Sequence, residues 1–219
     1  MHAFALNFAG MRSDGFIHYL DAHLLVVEKP AGLLSVPGRL PENRDCVVSR
    51  LQASHPEVLT VHRLDQVTSG LMLYARGKAM QVALSVLFEQ RQVTKRYQAL
   101  VCGVIDADSG EIALPLTRDW PNRPRQKVDH QTGKPSLTRW WVVERDQANR
   151  QTRLELEPVT GRTHQLRVHL ASIGHPIIGD VFYGADADVA GRVCLHARRL
   201  AFTHPATAQA MAFESPPPF

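Results

Sequence analysis

Cysteine is scarce in this chain: Cys46, Cys102 and Cys194 are odd in number and lie far apart. That excludes a disulfide framework and leaves no C-x-x-C metal or redox motif, so free, reduced and mostly buried thiols are expected. Long apolar runs are missing as well, since no stretch approaches the ~18 consecutive apolar residues that cross a bilayer. Met1 to Phe16 lacks the basic region, apolar run and cleavage pattern of a secretory signal. A cytoplasmic protein without membrane attachment is expected. No repeat, heptad or low-complexity tract interrupts the sequence. Nor is there a strong excess of charge: the formal net charge is +4. Mild basicity points to an anionic partner only where Lys and Arg gather on one face.

What is present is enough for one substantial core, because 219 residues exceed the usual size of one small domain. Residues 1–15 mix small and polar types without a period and are expected to be loose. Residues 16–219 are expected to form one domain. Leu24-Leu25-Val26-Val27 reads as a strand ended by the turn Glu28-Lys29-Pro30-Ala31-Gly32. Cys46, Val47 and Leu51 suggest a short helix. Gly70 to Ala75 reads as a buried strand, and Met80, Ala83, Leu84, Leu87 and Phe88 recur at helical spacing within 78–91. Strand patterns follow at 94–105, 110–114, 138–144, 153–156, 193–202 and 209–213. Leu166, His169, Leu170 and Ile173 share a helical face that Thr163 can cap and that Gly174-His175-Pro176 stops. Many strands and few helices predict the α+β class, with a mixed, mainly antiparallel sheet.

Two stretches carry candidate chemistry. His62-Arg63-Leu64-Asp65, followed by Thr68-Ser69-Gly70, sets a carboxylate in a turn with small hydroxyls and a glycine, where a ligand can approach closely. Gly161-Arg162-Thr163-His164-Gln165-Leu166-Arg167-Val168-His169 sets a permanently charged guanidinium at a helix entrance. A nucleophilic carboxylate must stay ionised when water is excluded, and an opposite charge within about 4 to 6 Å lowers its pKa accordingly. Arg162 is the candidate partner of Asp65, since its fork matches a carboxylate and cannot lose its proton. A structural ion pair is the alternative. His169 reads as a core or hydrogen-bonded histidine. His164 and His169 are five apart, so they do not share a face as a zinc-binding pair would, and no metal is expected. The loop Asp119 to Lys127, followed by Gly133-Lys134-Pro135, is basic and stiffened by proline. It is either an ordinary solvated hairpin or an RNA clamp in which Arg123, Arg125, Lys127 and Lys134 meet phosphates.

Taken in order, these blocks resemble the RluA family of pseudouridine synthases over nearly the whole chain from Leu24 to Phe219. Val27 to Leu33 looks like the family's first block and His62 to Gly70 like its nucleophile block. Lys95-Arg96-Tyr97 looks like the strand carrying the active-site tyrosine. Gly161 to His169, Gly179-Asp180 with Tyr183-Gly184, and Leu195-His196-Ala197 complete the series.

The resemblance implies a pseudouridine synthase fold and an isomerase that detaches uracil from C1′ of its ribose, turns it and rejoins it through C5. Neither redox chemistry nor a metal is needed, so no cofactor is expected. Asp65 would be the catalytic aspartate, Tyr97 the ring under the target base, Arg162 the partner of Asp65 and Leu195 an apolar wall. Attack on C1′, attack on C6 and proton abstraction to give a glycal all remain open. A stacked uridine must be turned out of folded RNA at a cost of a few kcal/mol. Arg63, whose guanidinium can stack on bases, is the candidate to fill the gap, with His62 beside it among the RNA-binding residues. The basic loop is most similar to that of the dual-specificity member, which acts on a 23S rRNA loop and on the tRNA anticodon loop. Many relatives begin with a small S4-type RNA-binding domain, for which the first twenty-five residues leave no room. A monomer acting on RNA is expected. The alternatives are a relative acting on other rRNA or tRNA uridines, a non-catalytic RNA-binding protein on the same scaffold, and a nucleoside or glycoside hydrolase. The last ordinarily needs a second carboxylate, and none stands out.

Overall fold

The computed structural model describes residues 16–184 and 191–219. The expectation for residues 1–15 therefore lies outside the described residues. The described residues divide into two compact units, the first comprising 16–92 with 203–211 and the second 93–184 and 191–202 with 212–219.

The first unit is built on the strands β1 (Ile17–Leu20), β2 (Leu24–Lys29), β3 (Val58–Thr60) and β4 (Ser69–Arg76). All pair antiparallel: β2 lies between β1 and β4, and β3 adds to β4 over Val58 to Thr60. Five of the six residues of β2 and seven of the eight of β4 are buried. That is why both read as continuous apolar runs rather than as the alternation of a half-solvated strand. Helices α1 (Val47–Gln52) and α2 (Lys78–Glu89) complete the unit. α1 is closed by a reciprocal cap in which Cys46 Sγ accepts from the Ser49 N–H while Ser49 Oγ accepts from the Cys46 N–H. The 203–211 segment is fastened by His204, 1% exposed, whose Nε2 lies 3.1 Å from Asp21 Oδ2.

The second unit contains β5 (Thr94–Cys102), β6 (Ser109–Ala113), β7 (Leu116–Arg118), β8 (Gln126–Val128), β9 (Leu137–Asp146), β10 (Gln151–Pro158), helix α3 (Gln165–Ser172) and β11 (Leu195–Thr203). Strand β12 (Ala210–Glu214) enters it in its second half, where Phe213 stacks on Phe202. The strand order is β11-β5-β10-β9-β6, antiparallel throughout, and β7 with β8 forms a separate hairpin. In β10, Thr152, Leu154, Leu156 and Pro158 are buried while the residues between are not, which is the period of two that the sequence carries. Gly110 on β6 faces Trp140 on β9; a Cβ there would press into the indole at 2.6 Å, so only glycine admits this pairing. Among the described residues no helix is long and apolar enough to cross a membrane. The α+β class with antiparallel strands and few helices is as expected.

Candidate active site

Asp65 sits in the first unit, in the turn between β3 and β4, where the Thr68 N–H donates to the Asp65 carbonyl at 3.1 Å. The turn is held from beneath by groups that the sequence did not single out. Lys29, at the end of β2, is fully buried, and its ammonium donates to the carbonyls of Pro30 at 2.8 Å, Leu33 at 2.7 Å and Gln66 at 2.9 Å. A buried lysine is tolerated only with such compensation, and three carbonyls match the three ammonium protons. The Gly32 N–H donates to the same Gln66 carbonyl, and Gln66 Nε2 donates back to the Gly32 carbonyl. On the other flank Ser35 Oγ donates to the Leu64 carbonyl at 2.7 Å and accepts from the Leu64 N–H at 3.1 Å. Backbone on both sides of Asp65 is thus fixed, while its side chain stays half-buried.

His62 faces inward: its Nε2 accepts from the Leu73 N–H at 2.8 Å, and its ring stacks on Phe88 with centroids 4.5 Å apart. Arg63 is exposed. This part of the site therefore offers a half-buried carboxylate two residues from an exposed arginine, on a backbone that is not free to shift.

The second unit holds the remaining candidates. Tyr97 on β5 lies opposite Ala197 of β11 and Leu156 of β10, and Leu195 lies opposite Ala99. Residues two apart on a strand share a face, so Tyr97 and the buried Leu195 are diagonal neighbours on one side of the sheet. A half-buried phenol beside an apolar side chain makes a flat surface suited to one face of an aromatic ring.

Arg162 is exposed, yet both its backbone and its side chain are tied: its N–H donates to Gln165 Oε1 at 3.0 Å, and its guanidinium Nε donates to the Pro135 carbonyl at 3.3 Å. The helix starts later than the sequence indicates. α3 begins at Gln165, and its N-cap position belongs to His164 in the left-handed conformation at φ 54°, with no side-chain cap, rather than to Thr163. The physical reason is Gln165 itself. Buried at 3% exposure, it accepts from Arg162 N–H and from Thr160 Oγ1 and donates to the Leu137 carbonyl and Thr138 Oγ1. It thereby satisfies groups at the helix entrance that a cap would otherwise serve.

From Gln165 a chain of hydrogen bonds runs on: Thr138 Oγ1 donates to His169 Nδ1 at 2.9 Å, and His169 Nε2–H reaches Ser136 Oγ at 2.9 Å and the Leu114 carbonyl at 3.2 Å. Ser136 Oγ in turn donates to the Leu114 carbonyl. These partners require a neutral imidazole, and burial lowers the pKa of His169 from its ordinary value near 6.5, opposed in part by the Leu114 carbonyl. Leu166 and Leu170 share the buried side of α3, whereas Ile173 is 37% exposed.

A second buried network lies behind this entrance. Arg167 and Asp180, 3% and 1% exposed, form a two-pronged ion pair at 2.6 and 2.8 Å. The Arg167 guanidinium lies 5.2 Å from the Tyr183 ring centroid. Tyr183 Oη accepts from the Gln126 N–H at 2.9 Å and lies 2.7 Å from His164 Nδ1, which joins the β7–β8 hairpin to the loop that carries Arg162. Gly179, at φ 80°, passes so close to the Arg192 carbonyl that no Cβ fits. Arg123, Arg125, Lys127 and Lys134 are all exposed, and Lys134 pairs with Leu116 beside the hairpin. Arg123, Arg125 and Lys127 thus lie on the hairpin and Lys134 on the segment paired beside it.

Antiparallel sheets that display a carboxylate turn, a tyrosine strand and an arginine loop define the class, and solved structures share the architecture. A human protein described as RNA Pseudouridylate Synthase Domain Containing 1 superposes with a TM-score of 0.75 at 31% identity, over 93% of this chain and 84% of its own. Human RNA Pseudouridylate Synthase Domain Containing 4 gives 0.74 at 26% identity, over 93% and 88%. The family model for RNA pseudouridylate synthase matches residues 23–172. The chain belongs to this family of isomerases, which convert uridine in RNA to pseudouridine. Its relatives include two proteins named Dual-specificity RNA pseudouridine synthase RluA. That of Vibrio vulnificus (strain CMCP6) is 53% identical over 86% of this chain and 78% of its own. That of Escherichia coli (strain K12) is 48% identical over 93% of each.

Proposed function

We propose that this enzyme acts with dual specificity, isomerising a uridine in a 23S rRNA loop and one in the tRNA anticodon loop, through Asp65, Tyr97 and Arg162. The observation that carries the specificity is 48% identity over 93% of both chains to the dual-specificity enzyme of Escherichia coli, a span that includes the basic hairpin. Asp65 is the essential carboxylate in breaking the bond between uracil and C1′, and Arg162 keeps it charged. Tyr97 lies under the base, with Leu195 closing the pocket. The supporting geometry is an Asp65 turn whose backbone is anchored by Lys29 and Ser35 while Asp65 itself is half-buried. Preorganisation of this kind places a reacting group at little entropic cost. Arg63 fills the gap left when the uridine swings out, with His62 beside it, and Arg123, Arg125, Lys127 and Lys134 hold phosphates. Residues 16–219 act as one catalytic domain, and the protein works as a monomer in the cytoplasm with no cofactor.

The test is carbodiimide labelling and primer extension on 23S rRNA and tRNA from a strain lacking the enzyme, incubated with the wild-type protein or with Asp65→Asn. New stops at one uridine in each RNA are expected with the wild-type protein, and none with the variant. Stops in only one RNA class would end the dual reading. Full turnover by Asp65→Asn would end the assignment of the aspartate.

A further inference from the structure

The β7–β8 hairpin ends in a built turn. The Asp119 N–H donates to the Arg125 carbonyl at 3.0 Å, the Arg125 N–H to the Asn122 carbonyl at 3.0 Å, and Asn122 Nδ2 to Asp119 Oδ2 at 2.9 Å. The rung next to the turn, Arg118 opposite Gln126, is tied to Tyr183, whose Oη accepts from the Gln126 N–H. On this stiff tip Trp120 is 57% exposed. Leaving most of an indole in water forgoes a large favourable burial, so a tip with this residue has a use for its open surface. Two guanidinium groups already lie over the ring, Arg123 at 4.1 Å and Arg118 at 4.9 Å from the centroid. The result is an exposed indole with two guanidinium groups against it, on a hairpin that also carries the exposed Arg125, whose guanidinium lies 5.5 Å from the Phe182 ring centroid, and the exposed Lys127. The single carboxylate of the turn, Asp119, is engaged by Asn122.

We propose that Trp120, with Arg118 and Arg123, is a stacking site for an unpaired nucleobase of the bound RNA, distinct from the uridine that reacts. This rests on the reading of the enzyme as one that acts on structured RNA. Every base has a face that an aromatic ring or a guanidinium plane can cover, and single-stranded loops leave such faces open. The indole and its two guanidinium groups supply such surfaces, and the other cations of the hairpin meet the phosphates on either side of the base. A protein partner would bring hydrogen-bond acceptors and apolar side chains to the tip but no succession of flat rings and phosphates, and it does not match the charge there. The site therefore selects RNA whose loop exposes a second base within reach of the hairpin, which deepens the preference for loops over duplex.

Stacking and phosphate contact separate in their salt dependence. Affinity of the full-length protein for an unmodified anticodon stem-loop transcript is measured over a salt series for the wild type, Trp120→Phe, Trp120→Ala and Arg125→Ala. Trp120→Ala should bind on the order of tenfold more weakly with the salt slope unchanged, Trp120→Phe should fall between, and Arg125→Ala should lower the slope by about 0.7 to 0.9. A Trp120→Ala protein that binds as the wild type does, or that loses slope like Arg125→Ala, overturns the proposal. A second measurement uses 5-fluorotryptophan-labelled protein, whose three tryptophans give separate fluorine resonances. The resonance missing from Trp120→Phe should move on adding the stem-loop and stay in place with inorganic polyphosphate; equal movement with both overturns stacking. Should the stem-loop shift that resonance while rRNA and tRNA gain no pseudouridine, the dual-specificity reading fails and the stacking site stands.

Discussion

Replacing Lys29 by methionine removes one charge and three hydrogen bonds from beneath the Asp65 turn while keeping most of the buried volume. Hydrogen bonds to charged groups contribute about 1.5 to 3 kcal/mol each, so the three carbonyl contacts at 2.7 to 2.9 Å represent roughly 5 to 9 kcal/mol before offsets. Two offsets are visible. The Gln66 carbonyl keeps the Gly32 N–H, and methionine avoids the several kcal/mol that desolvating an ammonium costs. A net loss of about 2 to 4 kcal/mol is expected, read as a lower urea midpoint with an unchanged slope. Activity should fall further than stability requires, because the Gln66 carbonyl adjoins Asp65 and a shift of about 1 Å at a reacting group costs on the order of a hundredfold in rate. Turnover is measured by pseudouridine formation at a temperature where the variant is folded. Lys29→Arg should not rescue, since a planar fork cannot address three carbonyls arranged around one nitrogen. A Lys29→Met protein within about 0.5 kcal/mol of the wild type and with undiminished turnover would refute the reasoning, since surface changes alone stay within that range.

Two further outcomes follow from the second unit. Arg167→Met strands the Asp180 carboxylate at 1% exposure and should cost about 3 to 5 kcal/mol, with part of the loss recovered in Arg167→Met/Asp180→Asn; thermal unfolding of the three proteins checks this, and a loss below about 1 kcal/mol would contradict it. His169 is held neutral in the fold, so below its ordinary value near 6.5 the unfolded chain takes up a proton that the folded one resists. Its stabilising contribution is therefore complete above that pH and drains as pH falls, by at most about 1.4 kcal/mol per pH unit for one proton. Urea midpoints across that range should drop more steeply for the wild type than for His169→Gln, and parallel curves would show that this group does not titrate on unfolding.

The main strands were legible because burial on both faces leaves an unbroken apolar run, as in Leu24 to Val27 and Gly70 to Ala75, and because β10 alternates strictly. Helix α2 was legible from the spacing of Met80 and Leu84, although Val82 and Val86 turn out to face solvent. The short strands β1 and β3 carry too few residues for any period to show. At the site, Asp65 and Arg162 stood out as residue types with chemistry. Their supports did not. Lys29 at the end of a strand looks like any solvated lysine until a carbonyl 37 residues later closes over it. Tyr183 stood out only as part of a block resembling the family, and its place became visible where its hydroxyl meets partners 19 and 57 residues away. Thr163 was the natural cap by type, and a buried glutamine two residues on displaced it.

These hidden residues share one property. In the roles proposed for them, Asp65, Arg63 and Arg162 have to reach substrate, and Asp65 is only half-buried while both arginines are exposed, so none of them is fixed by packing its own side chain into a core. Precision has to enter through the backbone instead, and a backbone is fixed by satisfying its carbonyls and N–H groups from the inside. Lys29 and Ser35 do this on either side of Asp65, and Gln165 does it for the N–H of Arg162. Each supporting group is a buried polar side chain, costly when unpaired and rigid when fully paired. The supports should therefore tolerate substitution less well than the exposed arginines themselves: truncating Arg63 removes, in its proposed role, one contact with RNA, whereas truncating Lys29 or Gln165 releases a loop. That ordering separates the two kinds of residue by experiment, because loss at the exposed Arg63 lowers the unfolding midpoint less than loss at a support does, and a support loses midpoint and turnover together.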